Sequence, residues 1–185
     1  MHKIVKILIM TSILCNIGFA LFEPIYAIYV QEIGGYILEA AVAVGLFSIV
    51  LGVSTIIFGK ITDSKTDLKK KLVVLGYSIV TISFLGYYFI RNPIDLFIVQ
   101  IIMGLGTAMI DPGWDALFTR NVQKGKEATE WGIQEGCKQI AIGIAGITGG
   151  FVAYYFGFKI LILTMFIFQV LATISVSRLL WTDGK

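Results

Sequence analysis

Gly59-Lys60-Ile61-Thr62-Asp63-Ser64-Lys65-Thr66-Asp67-Leu68-Lys69-Lys70-Lys71 is a short, highly charged loop between two strongly apolar stretches. A block of lysines beside hydrophobic spans is held on the cytoplasmic side of a membrane. The spans flanking it therefore run in opposite directions, and the remaining segments can be oriented from this loop. The 185 residues are 57% hydrophobic and 15% charged, with a mean hydropathy of +0.85, whereas soluble domains are roughly one-quarter charged. This composition defines an integral membrane protein. Spans of about 20 apolar residues cross a bilayer as helices because each backbone donor must be satisfied internally. Six are expected, at roughly 7–30, 37–59, 72–90, 94–117, 130–155 and 159–180. The expected fold class is all-α, a single six-helix transmembrane domain over 1–185. Its loops are too short to hold a soluble domain, so function must be built inside the membrane or at its surfaces.

The charges are sorted by side. Lys3, Lys6, Lys60, Lys65, Lys69, Lys70, Lys71, Arg120, Lys124, Lys126, Arg178 and Lys185 fall on one side of the expected topology, and Arg91 and Lys159 on the other. This positive-inside pattern predicts cytoplasmic termini and a multi-pass protein of the cell membrane. The net charge of +3 is not gathered into one basic patch, which argues against nucleic acid as a partner. The apolar run after Lys6 continues to Val30 and further spans follow it, so it reads as a retained first helix rather than a signal peptide. Cys15 and Cys137 both fall within spans and are expected as small buried side chains, not as a disulfide framework. His2 is the sole histidine and sits at the terminus, which removes His-dependent hydrolases and His-rich metal sites. No phosphate-cradling loop is present, so ATP is not the direct energy source. No cofactor or metal is expected.

Few polar residues interrupt the spans, and each is informative. Glu23 lies roughly 10 Å from the outer end of the first span at 1.5 Å per residue. An ionisable group there costs about 2.5–3.5 kcal/mol on insertion scales and usually faces a cavity. Desolvation favours its neutral form, making it a candidate proton carrier; a snorkelling or hydrogen-bonded glutamate is the competing reading. Asn16 and Gln100 are either cavity-lining groups or helix-to-helix hydrogen bonds. Lys138, one-third of the way into the fifth span, needs an acid or a wet cavity, and Glu135 and Asp111 are the candidate partners. Asp111 and Asp115 are one turn apart near the cytoplasmic end of the fourth span. They are expected in a charge cluster with bases such as Lys65, Lys69 or Arg120. A metal-dependent lipid-headgroup enzyme would need further acids and a DG step that the chain lacks, and an intramembrane protease would need an acid where Thr107 follows Gly104 and Gly106. The tyrosines at 26, 29, 87 and 88 suit an outer interfacial belt.

Glycines recur at a spacing of seven: Gly45, Gly52 and Gly59 in the second span, and Gly136, Gly143, Gly150 and Gly157 in and just beyond the fifth. Each set lies on one helix face, and small residues let membrane helices approach closely. The faces are built for contact either within one six-helix bundle or with a second bundle.

The order of these features resembles the N-terminal half of a major facilitator superfamily transporter over essentially the whole chain. Gly59-x-x-x-Asp63 followed by bases is similar to the family signature between helices 2 and 3, with Ser64 where a base is usual and Thr66 where glycine is usual. Ala141 to Gly150 resembles the antiporter-associated motif: Gly149 and Gly150 match, while Ala145-Gly146 stands in place of Gly-Pro. Leu96 to Ala108 is similar to a segment whose buried arginine is replaced here by Gln100, so a coupling role for that arginine does not carry over. The resemblance implies that helices 1 and 4 line a central path, drawing together Asn16, Glu23, Gln100 and Lys138. It implies a cytoplasmic gate containing Gly59, Asp63, Lys65, Lys69, Lys70, Asp111, Asp115 and Arg120, with Asp63 docking on the fifth helix of the opposite half. It also implies a packing seam at Gly45, Gly52, Gly136, Gly143, Gly146, Gly149 and Gly150, where helices 2 and 5 of one half face 5 and 2 of the other.

A full transporter of this family has two such halves with the substrate site between them. The expected function is secondary active transport of a small solute by alternating access, as a homodimer of half-size units driven by a gradient. The alternative is a subunit of a heteromeric transporter or a non-transporting assembly protein. The expected partners are a second copy or complementary half, the lipid bilayer and a small-molecule substrate. The polar set fits sugars, amino acids, cationic drugs or protons.

Overall fold

A computed structural model of the chain describes residues 2–63 and 66–182. The described residues form helices and turns, with no strand among them. Helix α1 (Lys3–Ala20) is followed by a 3-10 turn (Glu23–Ile25) and α2 (Tyr26–Glu32), where the sequence reading expected one uninterrupted helix. Pro24 accounts for the break. It has no N–H to donate, and its ring disfavours the helical conformation for the residue before it. Helix α3 (Ile37–Thr62) begins after the positive-φ Gly34. Its first turn is closed by a capping box in which the Tyr36 N–H donates to Glu39 Oε2 at 2.8 Å.

Helix α4 spans Thr66–Tyr87 and α5 spans Pro93–Asn121. The start of α5 is strongly specified: Asn92 Oδ1 accepts the Ile94 and Asp95 N–H groups at 2.9 and 3.1 Å, and Pro93 occupies the first turn. Helix α6 (Glu127–Ser177) is two helices in one run, because Gly157 leaves helical geometry at φ 78° and ψ 169°. That region is accessible essentially to glycine alone. A final 3-10 turn covers Arg178–Trp181.

Among the described residues, four segments are long and apolar enough to cross a membrane: Lys3–Glu32, Ile37–Thr62, Pro93–Asn121 and Glu127–Trp181. The expected third span overlaps α4, and the expected fifth and sixth spans lie on either side of Gly157. The core is formed where α1, α4, α5 and the second part of α6 meet, with Leu8, Phe84, Leu96, Leu161 and Met165 fully buried. Small residues set the helix spacing, as expected where hydrophobicity gives helices no drive to associate. A Cβ on Gly76 of α4 would come within 2.6 Å of the Gly106 carbonyl of α5, and one on Gly104 within 2.9 Å of the Phe47 carbonyl of α3. Gly149 of α6 sits directly against the Leu21 backbone that follows α1.

Polar groups add specificity between α4 and α6. Thr81 and Thr173 share a hydroxyl hydrogen bond of 2.8 Å, and the Thr173 hydroxyl donates to the Tyr77 carbonyl at 3.3 Å. At the lysine-loop end Lys70 is buried and its ammonium donates to the Thr182 carbonyl, tying α4 to the last described turn.

At the opposite end the tyrosines depart from the expected interfacial belt. Tyr29 and Tyr87 are buried, the Tyr29 hydroxyl donates to the Tyr87 carbonyl at 3.0 Å, and both rings pack edge-on against Phe22. Paired with a backbone carbonyl, the hydroxyl can be buried at little cost. Tyr88 and Phe89 are the exposed members of the same stretch. Cys15 is buried as expected, whereas Cys137 is exposed on α6, because the face that carries it has no neighbour within the bundle.

Candidate functional site

Two cavities lie in line along α1, with Phe19 lining both. The outer cavity, about 390 Å³, is toward the tyrosine-rich end, and the inner one, about 360 Å³, is toward the lysine loop. Helical periodicity explains the lining. Ser12, Cys15, Asn16 and Phe19 recur at i, i+3, i+4 and i+7 on α1, as do Trp131, Gln134, Glu135 and Lys138 on α6. Thr107, Ile110, Asp111, Trp114 and Asp115 continue the same rhythm on α5. Three helices thus turn one stripe each toward a common space, and Tyr77 and Val80 of α4 complete its wall.

The four expected path residues divide between the two cavities. Asn16 and Lys138 line the inner cavity; Glu23 and Gln100 line the outer one. The Asn16 amide donates to the Ser12 carbonyl one turn back at 2.8 Å. Lys138 takes the nearer of its two candidate partners, with Nζ 2.7 Å from Glu135 Oε2. Gln100, 5% exposed, donates through Nε2 to the Tyr26 hydroxyl at 2.8 Å, bridging α5 to α2. Glu23 is exposed at the 3-10 turn.

The expected gate residues do not form one cluster. Asp111 and Asp115 line the inner cavity beside Lys138. Asp63 caps the end of α3, exposed, with its N–H on the Gly59 carbonyl at 3.2 Å. Lys70 is turned into the bundle and bound to Thr182, Lys69 is half-buried, and Arg120 is exposed near the end of α5. Lys65 lies outside the described residues. Glu130 occupies the first turn of α6 with 3% exposure, its Oε2 accepting the Gln123 N–H at 3.4 Å. Glu127 and Glu130 both stand in that first turn and compete for the positive end of the helix, the place where an acid from another half would dock.

The expected seam also divides. At Gly45, Gly52, Gly59, Gly136, Gly143 and Gly150 an added Cβ would meet nothing within 4 Å. Gly146 and Gly149 instead pack on Pro24 and Leu21, inside the bundle. Helix α3 is correspondingly uncovered: 11% of its most apolar window is buried, against 56% for the first segment.

Sequence reasoning missed Trp114, Trp131, Gln134 and Tyr26. The first three were findable, since each falls on the stripe that carries an identified ionisable residue, three, four or seven positions away. Tyr26 lies three positions from Glu23 on the outer cavity, but its contact with Gln100 crosses 74 positions and was not readable.

Helices of this length and apolarity, closing around an in-line pair of cavities, define a multi-pass membrane protein. The chain belongs to the Major Facilitator Superfamily, whose family model matches residues 8–185. It is 27% identical over 159 residues to an uncharacterized MFS-type transporter of Methanocaldococcus jannaschii, a match covering 86% of this chain and 41% of that protein. The chain therefore spans about two-fifths of the length of the relative it matches.

Proposed function

We propose that this chain forms one six-span half of a secondary active transporter. It moves a small solute by alternating access against a second half, in the first instance a second copy of itself. The six crossings are the four long apolar segments with α4 added and the last divided at Gly157. The lysine loop and both termini face the cytoplasm, and the protein resides in the cell membrane. A solute gradient or proton gradient drives the cycle, with Glu23 as the candidate proton carrier.

One observation carries the reading. The cavities run along the same bundle whose α3 and α6 glycine faces have open space in front of them, which is the arrangement a docked second half would complete. A complementary half from another chain would use the same faces.

Native mass measurement of the full chain in lipid nanodiscs tests the assembly. A defined dimer is expected, and a strict monomer that still transports would overturn it. Cys137, exposed on α6 next to Gly136, reports the conformation, while buried Cys15 serves as the unreactive reference. In the outward-facing state Asp63 latches the cytoplasmic side, so Asp63→Asn should shift the balance inward and speed maleimide labelling of Cys137 severalfold. An unchanged labelling rate would refute the latch.

A further inference from the structure

We infer that the inner cavity is a binding site for a small organic cation that carries an aromatic ring and a hydrogen-bond acceptor. The inference rests on the transport reading only in treating the cavity as part of a solute path. Three independent observations point the same way.

The first is charge. Lys138 is taken up by Glu135 at 2.7 Å, so this pair is neutral. Asp111 and Asp115 line the same cavity with no ion-pair partner within 4.0 Å among the described residues. Lys138 also acts on Asp115 through space, yet the wall carries three carboxylates against one ammonium, and the half-buried Asp111 is costly at membrane depth without a counter-charge. A neutral solute leaves that cost standing, and an anion adds to it.

The second is unmet hydrogen bonding. Gln134 and Trp114 also line the cavity, at 3% and 7% exposure. Gln134 Oε1 and Trp114 Nε1 have no hydrogen-bond partner among the described residues. Buried polar atoms are nearly always paired, and each exception calls for a reason. A small rotation of each side chain toward the cavity lets an ammonium N–H satisfy the glutamine oxygen and an oxygen on the same solute satisfy the indole N–H.

The third is the character of the remaining wall. Phe19, Tyr77 and Trp131 supply aromatic faces, which attract cations and stack on rings. A bare metal ion is a poorer fit. No group of three His, Cys, Asp or Glu side chains among the described residues is gathered to hold one. The volume, about 360 Å³, lies at the small end of ligand pockets, about 300–1,000 Å³, and suits a solute of roughly ten non-hydrogen atoms.

The test is equilibrium binding to the purified full chain in nanodiscs, read by calorimetry, with three probes of one shape: 2-amino-1-phenylethanol, 1-phenyl-1,2-ethanediol and mandelate. They place a cation, a neutral hydroxyl and an anion at the same position. The amine should bind at least tenfold tighter than the diol, and mandelate weakest. Asp111→Asn with Asp115→Asn should abolish the preference. Lys138→Gln should tighten amine binding severalfold, a change of sign that misfolding cannot produce. Trp114→Phe should remove the advantage of the hydroxylated amine over 2-phenylethylamine. Equal binding of all three probes, no binding of the amine, or full amine affinity in the double asparagine variant would overturn the inference. Counterflow in proteoliposomes separates this from the transport reading. Transport of a neutral or anionic solute without amine binding sinks the cation site alone; amine binding without counterflow of any probe sinks transport alone.

Discussion

Gly149 and Gly150 are neighbours in α6 and do opposite things. At Gly149 a Cβ would overlap the Leu21 backbone, whereas at Gly150 it would meet nothing within 4 Å. One residue is about 100° of helix rotation, and that rotation separates a face the bundle uses from a face it leaves open. The same division runs through the molecule. Gly76, Gly104, Gly106 and Gly113 stand with Gly149, while Gly45, Gly52, Gly136 and Gly143 stand with Gly150. Spacing alone cannot distinguish the two kinds, since a stripe of small residues looks the same whichever neighbour it meets. What distinguishes them is contact. The first kind lets α1, α3, α4, α5 and α6 close into one bundle; the second kind keeps the other face of α3 and the first part of α6 flat where nothing yet covers them.

The largest test of this division is Gly149→Leu. A side chain there must displace the chain leaving α1, and overpacking of this sort costs about 3 kcal/mol or more when backbone stands in the way. The variant should lose monodisperse folded protein on gel filtration in detergent. Gly76→Ala should follow with about 2 kcal/mol, because its Cβ would press on the Gly106 carbonyl at 2.6 Å. Gly150→Leu should leave the folded fraction and its thermal midpoint in detergent unchanged while removing the dimer in nanodiscs. Loss of folded protein in Gly150→Leu, or its survival in Gly149→Leu, would erase the comparison.

The lysine loop, the long apolar runs and the recurring glycines made the class of fold legible, because insertion into a membrane depends on composition and charge placement that any sequence displays. Helix boundaries were readable where a residue acts locally, as Asn92-Pro93 does at the start of α5. The break at Glu23-Pro24 was signalled by Pro24 yet passed over, since membrane helices often tolerate proline, as α5 does at Pro112. The candidate site was half legible. Lys138 and Asp111 announce themselves by cost, and Asn16 by polarity. Their division into two cavities is a matter of which stripes face one another, and Trp131 or Tyr26 carries no sign of that in its own segment. The same limit explains Tyr29 and Tyr87: their positions matched an interfacial belt, and only the fold showed that each ring turns inward onto Phe22.

Gly157 gives a prediction of intermediate size that belongs to neither kind of glycine. Nothing crowds it, yet its φ of +78° excludes side chains for reasons of backbone sterics. Gly157→Ala should therefore cost about 1–3 kcal/mol and lower the thermal midpoint of the bundle itself, in detergent as in nanodiscs.

The smallest effect has the reverse sign. Gly143 sits mid-helix with a helical backbone and open space before it. Glycine in a helix interior costs about 0.5–1 kcal/mol relative to alanine. Gly143→Ala should therefore stabilise the lone bundle by about 0.5 kcal/mol, read as a slightly higher thermal midpoint in detergent. A sequence that forgoes this gain at several positions on one face must recover it elsewhere. If a second half docks there, the same Gly143→Ala chain should show a weaker dimer in nanodiscs, so one methyl group raises stability in one setting and lowers assembly in the other. A rise in both would mean the open face meets only lipid; a fall in both would mean that Gly143 packs within its own bundle after all.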